Sequence, residues 1–233
     1  MEVLTPLTIG SGRERGTLRE ALRIPVMTSR GLEYLPVIPS SSLKGAFRAV
    51  GEMLGRSWAE LSDDPRMRVM ASHKRDGGAV SHGVEEDVVE ELLSGLSDDE
   101  IELLDRKFRG GEKAAYFCPI CRLFGAPGIS ASVRFSDALP TRFTTQLVTR
   151  TSIDRDRLKV MEGRLFTDEV VAPGSEFRAV MLVDARKGSL EEELLEMIMR
   201  FATEVGIQLG GGRSVGRGRI RIEGLEISHG PGK

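Results

Sequence analysis

Cys118-Pro119-Ile120-Cys121 places two thiols with two residues between them, the spacing that supplies half of a tetrahedral zinc site. Two more ligands are needed, and the chain has three histidines, His73, His82 and His229. His73 and His82 lie in the polar stretch 71–83 ahead of the cysteines and are the natural partners. Zinc there would pin a segment that has no large core of its own. A pair of buried free thiols and a redox pair are the other readings of the same spacing.

Phosphate chemistry is written into a second stretch. Leu209 to Arg219, LGGGRSVGRGR, holds five glycines and three arginines in eleven residues. Glycine loses more conformational entropy on ordering than any other residue, so a packed element does not favour it. It is kept where the backbone needs positive φ or where something approaches closely. Arg213, Arg217 and Arg219 make an anion the first candidate, because guanidinium forks and successive N–H groups both hold phosphate. A surface loop carrying basic side chains for solubility is the alternative.

A third stretch, Ser40-Ser41-Ser42 before LKGAFRAV, is a helix start with capping hydroxyls. Leu43, Phe47, Val50 and Leu54 recur at helical spacing and face the core. Lys44 and Arg48 are four apart on another face. Unpaired N–H groups converging at such an end, with a lysine in the first turn, make an anion site. An ordinary capped surface helix fits equally. Gly45 is costly inside a helix and is best explained by close approach of a backbone or a ligand.

The elements that must position these groups follow from periodicity. Val3–Ile9, Ile24–Met27, Tyr34–Ile38, Ser132–Asp137, Phe177–Val183 and Arg219–Ile227 read as strands. Arg30-Gly31 is a turn, and residues 10–23 read as a polar, partly basic loop. Residues 84–95 form an acidic amphipathic helix. Ser97 to Glu100 opens a second helix with a capping box. Leu190–Val205 is the clearest helix, with one apolar stripe through Leu194, Leu195, Ile198, Phe201, Ala202 and Val205. Thr141 to Asp168 is long and rich in Thr and Arg, a projecting hairpin or loop.

At 233 residues the chain can bury a substantial core. Thirty-three basic against thirty-five acidic residues leave a net charge of -2, which makes no case for nucleic acid in bulk. Distribution matters more: residues 84–105 carry ten acidic and no basic side chains, while 141–164 carry six basic and three acidic. No apolar run approaches membrane-spanning length and no signal peptide precedes Val3, so a cytoplasmic, membrane-free protein is expected. The order of elements suits an α+β domain with helices on one face of a largely antiparallel sheet.

Four motifs, in order, resemble those of CRISPR-associated RAMP proteins. VIPSSSLKGAFR (Val37–Arg48) resembles the "IPGSSLKG" signature, and CPICRLFG (Cys118–Gly125) the "CxxCxLFG" element. TSIDRDR (Thr151–Arg157) resembles the segment that follows it, and GGGRSVGRGRI (Gly210–Ile220) the terminal glycine-rich loop. The pattern is most similar to the repeated backbone subunit of type III effector complexes. The resemblance implies a ferredoxin-like, RNA-recognition-domain-like RAMP core over residues 1–233. It also implies a helical, zinc-binding insertion at 55–125 and a thumb-like hairpin at 141–168. Guide RNA, complementary target RNA and neighbouring RAMP subunits are the implied partners. Carried over by position, the RNA-binding residues are Arg19, Arg23, Ser41, Ser42, Lys44, Arg48, Arg150, Arg155, Arg213 and Arg217. The zinc ligands are Cys118 and Cys121 with His73 and His82.

Activity is where the chain departs from the pattern. In nuclease-competent relatives an aspartate precedes an "NPVIRD"-like stretch; here that stretch is LRIPVMTS and Arg23 stands at the aspartate's position. An arginine steadies phosphate but cannot orient a metal or an attacking hydroxyl. The reading favoured is therefore an RNA-binding subunit that does not cut its target. A metal-dependent endoribonuclease using Glu20, whose register does not match, is the runner-up. A metal-free guide-processing enzyme is a third reading, but His73 and His82 are committed to zinc and His229 lies in a polar tail. A soluble α+β domain with a structural zinc and an unrelated partner is the bland one, and salt-dependent RNA binding separates it from the rest.

Overall fold

The computed structural model describes residues 1–15, 18–76, 79–108, 113–154 and 159–226, with backbone alone at 11–15, 74–76, 79–80, 151–154 and 159–165. In chain order the elements are β1 (Glu2–Val3), β2 (Gly10–Arg15), β3 (Leu18–Ala21), β4 (Arg23–Thr28), β5 (Gly31–Pro36) and α1 (Ser40–Ala59). Then come α2 (Pro65–Ala71), β6 (His73–Asp76), β7 (Ala79–His82), α3 (Glu86–Leu93), α4 (Asp98–Lys107), α5 (Ala114–Phe117) and α6 (Pro119–Phe124). The remainder are β8 (Val133–Phe135), β9 (Leu139–Arg142), β10 (Thr145–Asp154), β11 (Lys159–Val171), β12 (Glu176–Arg178), β13 (Met181–Val183), α7 (Leu190–Glu204), β14 (Ile207–Gln208) and β15 (Arg219–Arg221). The chain forms two compact units, one from Met1–Ala46, Phe135–Val180 and Phe201 onward, the other from Phe47–Arg134 and Met181–Arg200.

The first unit is built on an antiparallel sheet of order β14-β15-β1-β12-β9. Val3, Ile220 and Ile207 stand in register across three of its strands and are buried. Such a row of β-branched side chains is a natural unit of sheet stability. A second sheet, β10-β11-β3-β2, contains the long hairpin expected near 141–168. Its second strand runs on to Val171, where Val170 and Val171 are buried and Val171 bridges to Leu7. The join between β11 and β3 is parallel and sets Asp168 opposite Arg19.

Several expectations need correction in this unit. Residues 10–23 are not a loop: β2 and β3 form a hairpin. The strand expected over Phe177–Val183 is two strands in different sheets, because β12 pairs with β9 while β13 pairs with β8. The closing strand ends at Arg221 rather than Ile227. Val205, placed in the buried stripe, is 44% exposed beyond the end of α7, where Gly206 turns the backbone at φ 89°.

The second unit is mostly helical. α1 carries Gly51 and Gly55 on one face: a Cβ at Gly51 would lie 3.0 Å from Ile198 Cδ1, and one at Gly55 3.1 Å from Met70 Sδ. These two glycines flatten α1 so that α7, α6 and α2 pack closely against it. The helix α2 starts at Pro65 behind an Asp64 cap, and α4 starts with the expected box, Ser97 N–H donating to Glu100 Oε2 at 2.9 Å. Residues 71–83 are not a polar loop but include the β6–β7 hairpin, with His73 directly opposite His82.

Candidate functional site

The hairpin β6–β7 explains how two histidines nine residues apart meet. Residues directly opposite in an antiparallel pair project to the same face. The α5–α6 junction does the same for the cysteines, because Pro119 opens a short helix that places Cys118 and Cys121 on its first turn. All four side chains are buried. His73 Nδ1 lies 3.2 Å from His82 Nε2, 3.5 Å from Cys118 Sγ and 3.8 Å from Cys121 Sγ, and Cys121 Sγ lies 3.5 Å from His82 Nε2. With ordinary zinc bond lengths a tetrahedron needs N–N edges of about 3.3 Å and S–N edges of about 3.6 Å. The four distances above lie close to those edges, and all four candidate ligand atoms lie within 4.8 Å of one another. The cluster is compatible with a structural metal such as zinc.

The electrostatics of the cluster fit the same chemistry. Cys121 is lowered to about 3, first by the hydrogen bond from Cys118 and then by those from His73 and His82, against its own burial. Burial pushes the Cys118 thiol well up. Burial lowers the His73 imidazole, but hydrogen bonds to Cys121 and Glu52 outweigh it and leave the pKa raised. With Nδ1 turned to the cysteines, His73 Nε2–H donates to Glu52 Oε1 at 3.2 Å. Were His73 to ligate a metal, Glu52 would be the carboxylate behind it that fixes its tautomer and ring plane. It was not singled out from the sequence; its i+4 spacing from Arg48 on α1 was the available signal.

Arg48 is a correction. It is buried, its Nε donates to Glu52 Oε1 at 2.9 Å and its Nη1 to the Gly125 carbonyl at 2.8 Å. Its charge is used to hold Glu52, so it is not a surface phosphate ligand. Arg217 is a second correction: it is buried and donates through Nη1 to Asp168 Oδ2 at 2.8 Å. Arg23 donates to Glu169 Oε1 at 2.5 Å and to the Tyr34 carbonyl at 3.3 Å, so the position expected to lack a carboxylate holds an arginine that neutralises one.

The remaining phosphate candidates of the first unit lie nearer the surface. Ser41 is exposed, while Ser42 and Lys44 are half-buried on the first turn of α1. The Ser40 N–H at that helix end donates to Asp137 Oδ1 at 2.7 Å, so one of the converging donors is already capped. A Cβ at Gly45 would meet nothing within 4 Å, so no packing within the protein requires glycine there. Arg213 is exposed, with Nε donating to the Gly210 carbonyl. Arg155 lies outside the described residues, as does His229.

Glycines of the 209–219 loop answer to the protein's own backbone. Gly210 has φ 70° and a Cβ there would lie 2.1 Å from the Thr8 carbonyl oxygen; at Gly218 it would lie 1.9 Å from that of Leu209. Gly211 and Gly212 line a cleft of about 260 Å³ with Thr8, Gly10, Arg19, Glu20, Arg150 and Asp168. Arg19 lies over the Phe166 ring, 5.2 Å from its centre. Asp168, 1% exposed, was not singled out; it accepts through Oδ2 from both Arg150 and Arg217. Burial alone would raise its pKa, but the hydrogen bonds from Arg217 and Arg150 hold it below the usual carboxylate value. Among the described residues, Asp168 Oδ1 and Arg150 Nε are buried without a partner.

A mixed α/β core, a helical region holding a His/His/Cys/Cys cluster and a glycine-rich loop near the end of the chain define a known class. The RAMP superfamily model matches residues 1–221, and the chain belongs to that superfamily. Among solved structures it is similar to a chain of a Type IV-B CRISPR complex, with 17% identity and a TM-score of 0.53 over 100% of this chain and 92% of that one. No curated protein matches the sequence. Among the described residues no helix is long and apolar enough to cross a membrane.

Proposed function

We propose that the protein is a guide-RNA-binding backbone subunit of a CRISPR interference complex, of the type III kind its motifs resemble, working in the cytoplasm beside other RAMP subunits. In this reading residues 1–233 are one RAMP domain, 55–125 its zinc-stabilised insertion, and 141–168 the thumb that reaches a neighbouring subunit. Zinc is the resident metal of the four-ligand cluster. The observation that carries the reading is the cleft of the first unit. Three distant segments converge there, bringing Arg19 and Arg150 to the glycines of the terminal loop. Guanidinium groups hold a phosphate chain, and Phe166 under Arg19 offers a ring for a base. The open space at Gly45, beside Lys44, gives a second point of approach.

Target cleavage is not part of this reading. Arg23 occupies the position of the expected carboxylate and neutralises Glu169. One observation favours the nuclease alternative: Glu20 lines the same cleft as Asp168. A single preparation decides between them. Single-stranded guide-like RNA is titrated at several salt concentrations, then complementary target and magnesium are added. The scaffold reading expects binding that weakens with salt and leaves the target intact, with Lys44→Ala weakening every RNA sequence alike. Regularly spaced cuts that vanish in Glu20→Ala would establish the nuclease instead. No binding at any salt would reject both.

A further inference from the structure

We infer that a cavity of the second unit receives an arginine side chain from a protein partner. This site does not rest on the RNA-binding reading above. A space of about 320 Å³ is lined by Trp58, on the last turn of α1, and by Glu193, Glu196, Met197 and Arg200 of α7. The α7 residues fall at i, i+3, i+4 and i+7 and so share one helix face. Glu193, Glu196 and Arg200 are exposed while Trp58 and Met197 are half-buried, so solvent reaches every wall. Among the described residues, neither Glu193 nor Glu196 joins its carboxylate to a hydrogen bond or an ion pair, and no cation lies over the Trp58 ring. Arg200 already has a partner of its own. Arg66 on α2 lends positive charge near Glu193, but its fork is closed on Asp64.

Charge and shape select the occupant. Two carboxylates against one guanidinium leave the lining with one net negative charge, which repels phosphate and favours a cation. A divalent ion is a poor match, because Arg200 stands on the same face and only two carboxylates are offered. An apolar side chain would take water from both carboxylates and pair neither. A guanidinium answers every wall: its flat face stacks on the indole, the best aromatic partner for a cation, and its N–H groups donate to Glu193 and Glu196. Its aliphatic stem lies along Met197. The volume is at the small end of the ~300–1,000 Å³ that ligand sites occupy, which suits one side chain better than a cofactor. Over its length α7 carries five glutamates and one arginine, so the complementary surface is basic. Tryptophan and arginine are also the side chains that most often anchor protein interfaces.

Trp58 is the one tryptophan of the chain, so its emission reports on the cavity without a label. The full-length protein is titrated at constant ionic strength with N-acetyl-arginine amide, its uncharged analogue N-acetyl-citrulline amide, N-acetyl-norleucine amide and a single-stranded RNA. The arginine derivative is expected to change the emission saturably and to bind about tenfold tighter than the citrulline one, as suits hydrogen bonds between charged groups. The double variant Glu193→Gln, Glu196→Gln should lose that preference. Both side chains are exposed, so its melting temperature should stay that of the unmodified protein. Equal binding of the arginine and citrulline derivatives, or a preference that survives in the double variant, would overturn the assignment. Binding of the norleucine derivative as tightly as arginine would make the cavity an apolar contact instead. Emission that answers to RNA and not to arginine would give the wall to nucleic acid, and no saturable response to arginine would leave no such site. None of these results bears on RNA binding by the first unit, which the RNA titration decides by itself.

Discussion

His73 and His82 face each other across an antiparallel hairpin, with Nδ1 of the first 3.2 Å from Nε2 of the second. His73 Nδ1 also lies within 3.8 Å of both cysteine sulfurs, and His82 Nε2 lies 3.5 Å from that of Cys121. The spacing is compatible with the bond lengths of a structural metal such as zinc. Freshly purified protein is therefore expected to carry one zinc per chain. Cys121→Ser should lose it and melt about 10 °C lower, corresponding to about 3 kcal/mol or more for a chain of this size. Metal analysis with a melting curve checks both, and zinc-free protein with an unchanged melting temperature would dismiss the assignment.

Glu52 tests the shell behind the ligands. Glu52→Gln keeps size and shape but removes the carboxylate that accepts from His73 and Arg48. Zinc affinity should fall about 10- to 100-fold, read by competition with a chelator, while one zinc still binds at saturation. Unchanged affinity would mean that Glu52 serves only Arg48.

Gly210 and Gly45 should behave as opposites. Gly210→Ala forces a Cβ toward the Thr8 carbonyl from a positive φ and should cost about 2 kcal/mol or more. Gly45→Ala adds a Cβ into open space within a helix and should gain about 1 kcal/mol. If RNA passes close to the first turn of α1, the same Gly45→Ala variant binds RNA more weakly although it is more stable. Urea unfolding and an RNA titration on the same two proteins separate the effects.

Asp168 makes stability depend on acid. Its folded pKa lies below the value of about 3.9 expected when unfolded. The stabilisation it contributes is thus complete above about pH 4 and is lost as pH falls through the folded value. Wild-type unfolding midpoints should drop below about pH 4 more steeply than those of Asp168→Asn. Parallel curves would show that its ionisation is not coupled to folding.

Much of this was legible in residue order, and the misses have physical causes. Helices α1, α4 and α7 announced themselves through caps and apolar stripes, because those signals are local. The four metal candidates were legible from type and spacing. What joined His73 to His82, however, was a hairpin whose four-residue strands are too short to show alternation. Arg48 and Lys44 looked equivalent at i and i+4, yet Arg48 is buried against Glu52 and Gly125 while Lys44 is not. Burial depends on residues far along the chain, which local periodicity does not contain. Asp168 was passed over for the same reason: its partner Arg217 is 49 residues away.

The pairing of β1 with β15 bears on how the molecule is made. Glu2 is in register with Arg221 and Val3 with Ile220, so this strand finds these partners only once the chain has been made as far as Arg221. The first unit, which the chain leaves and re-enters twice, has no finished central sheet until then. Residues 47–134, by contrast, emerge as one uninterrupted run that includes all four residues of the candidate metal cluster. The candidate metal cluster can therefore assemble before the sheet closes, and the long wait exposes the β1 edge to wrong partners during translation.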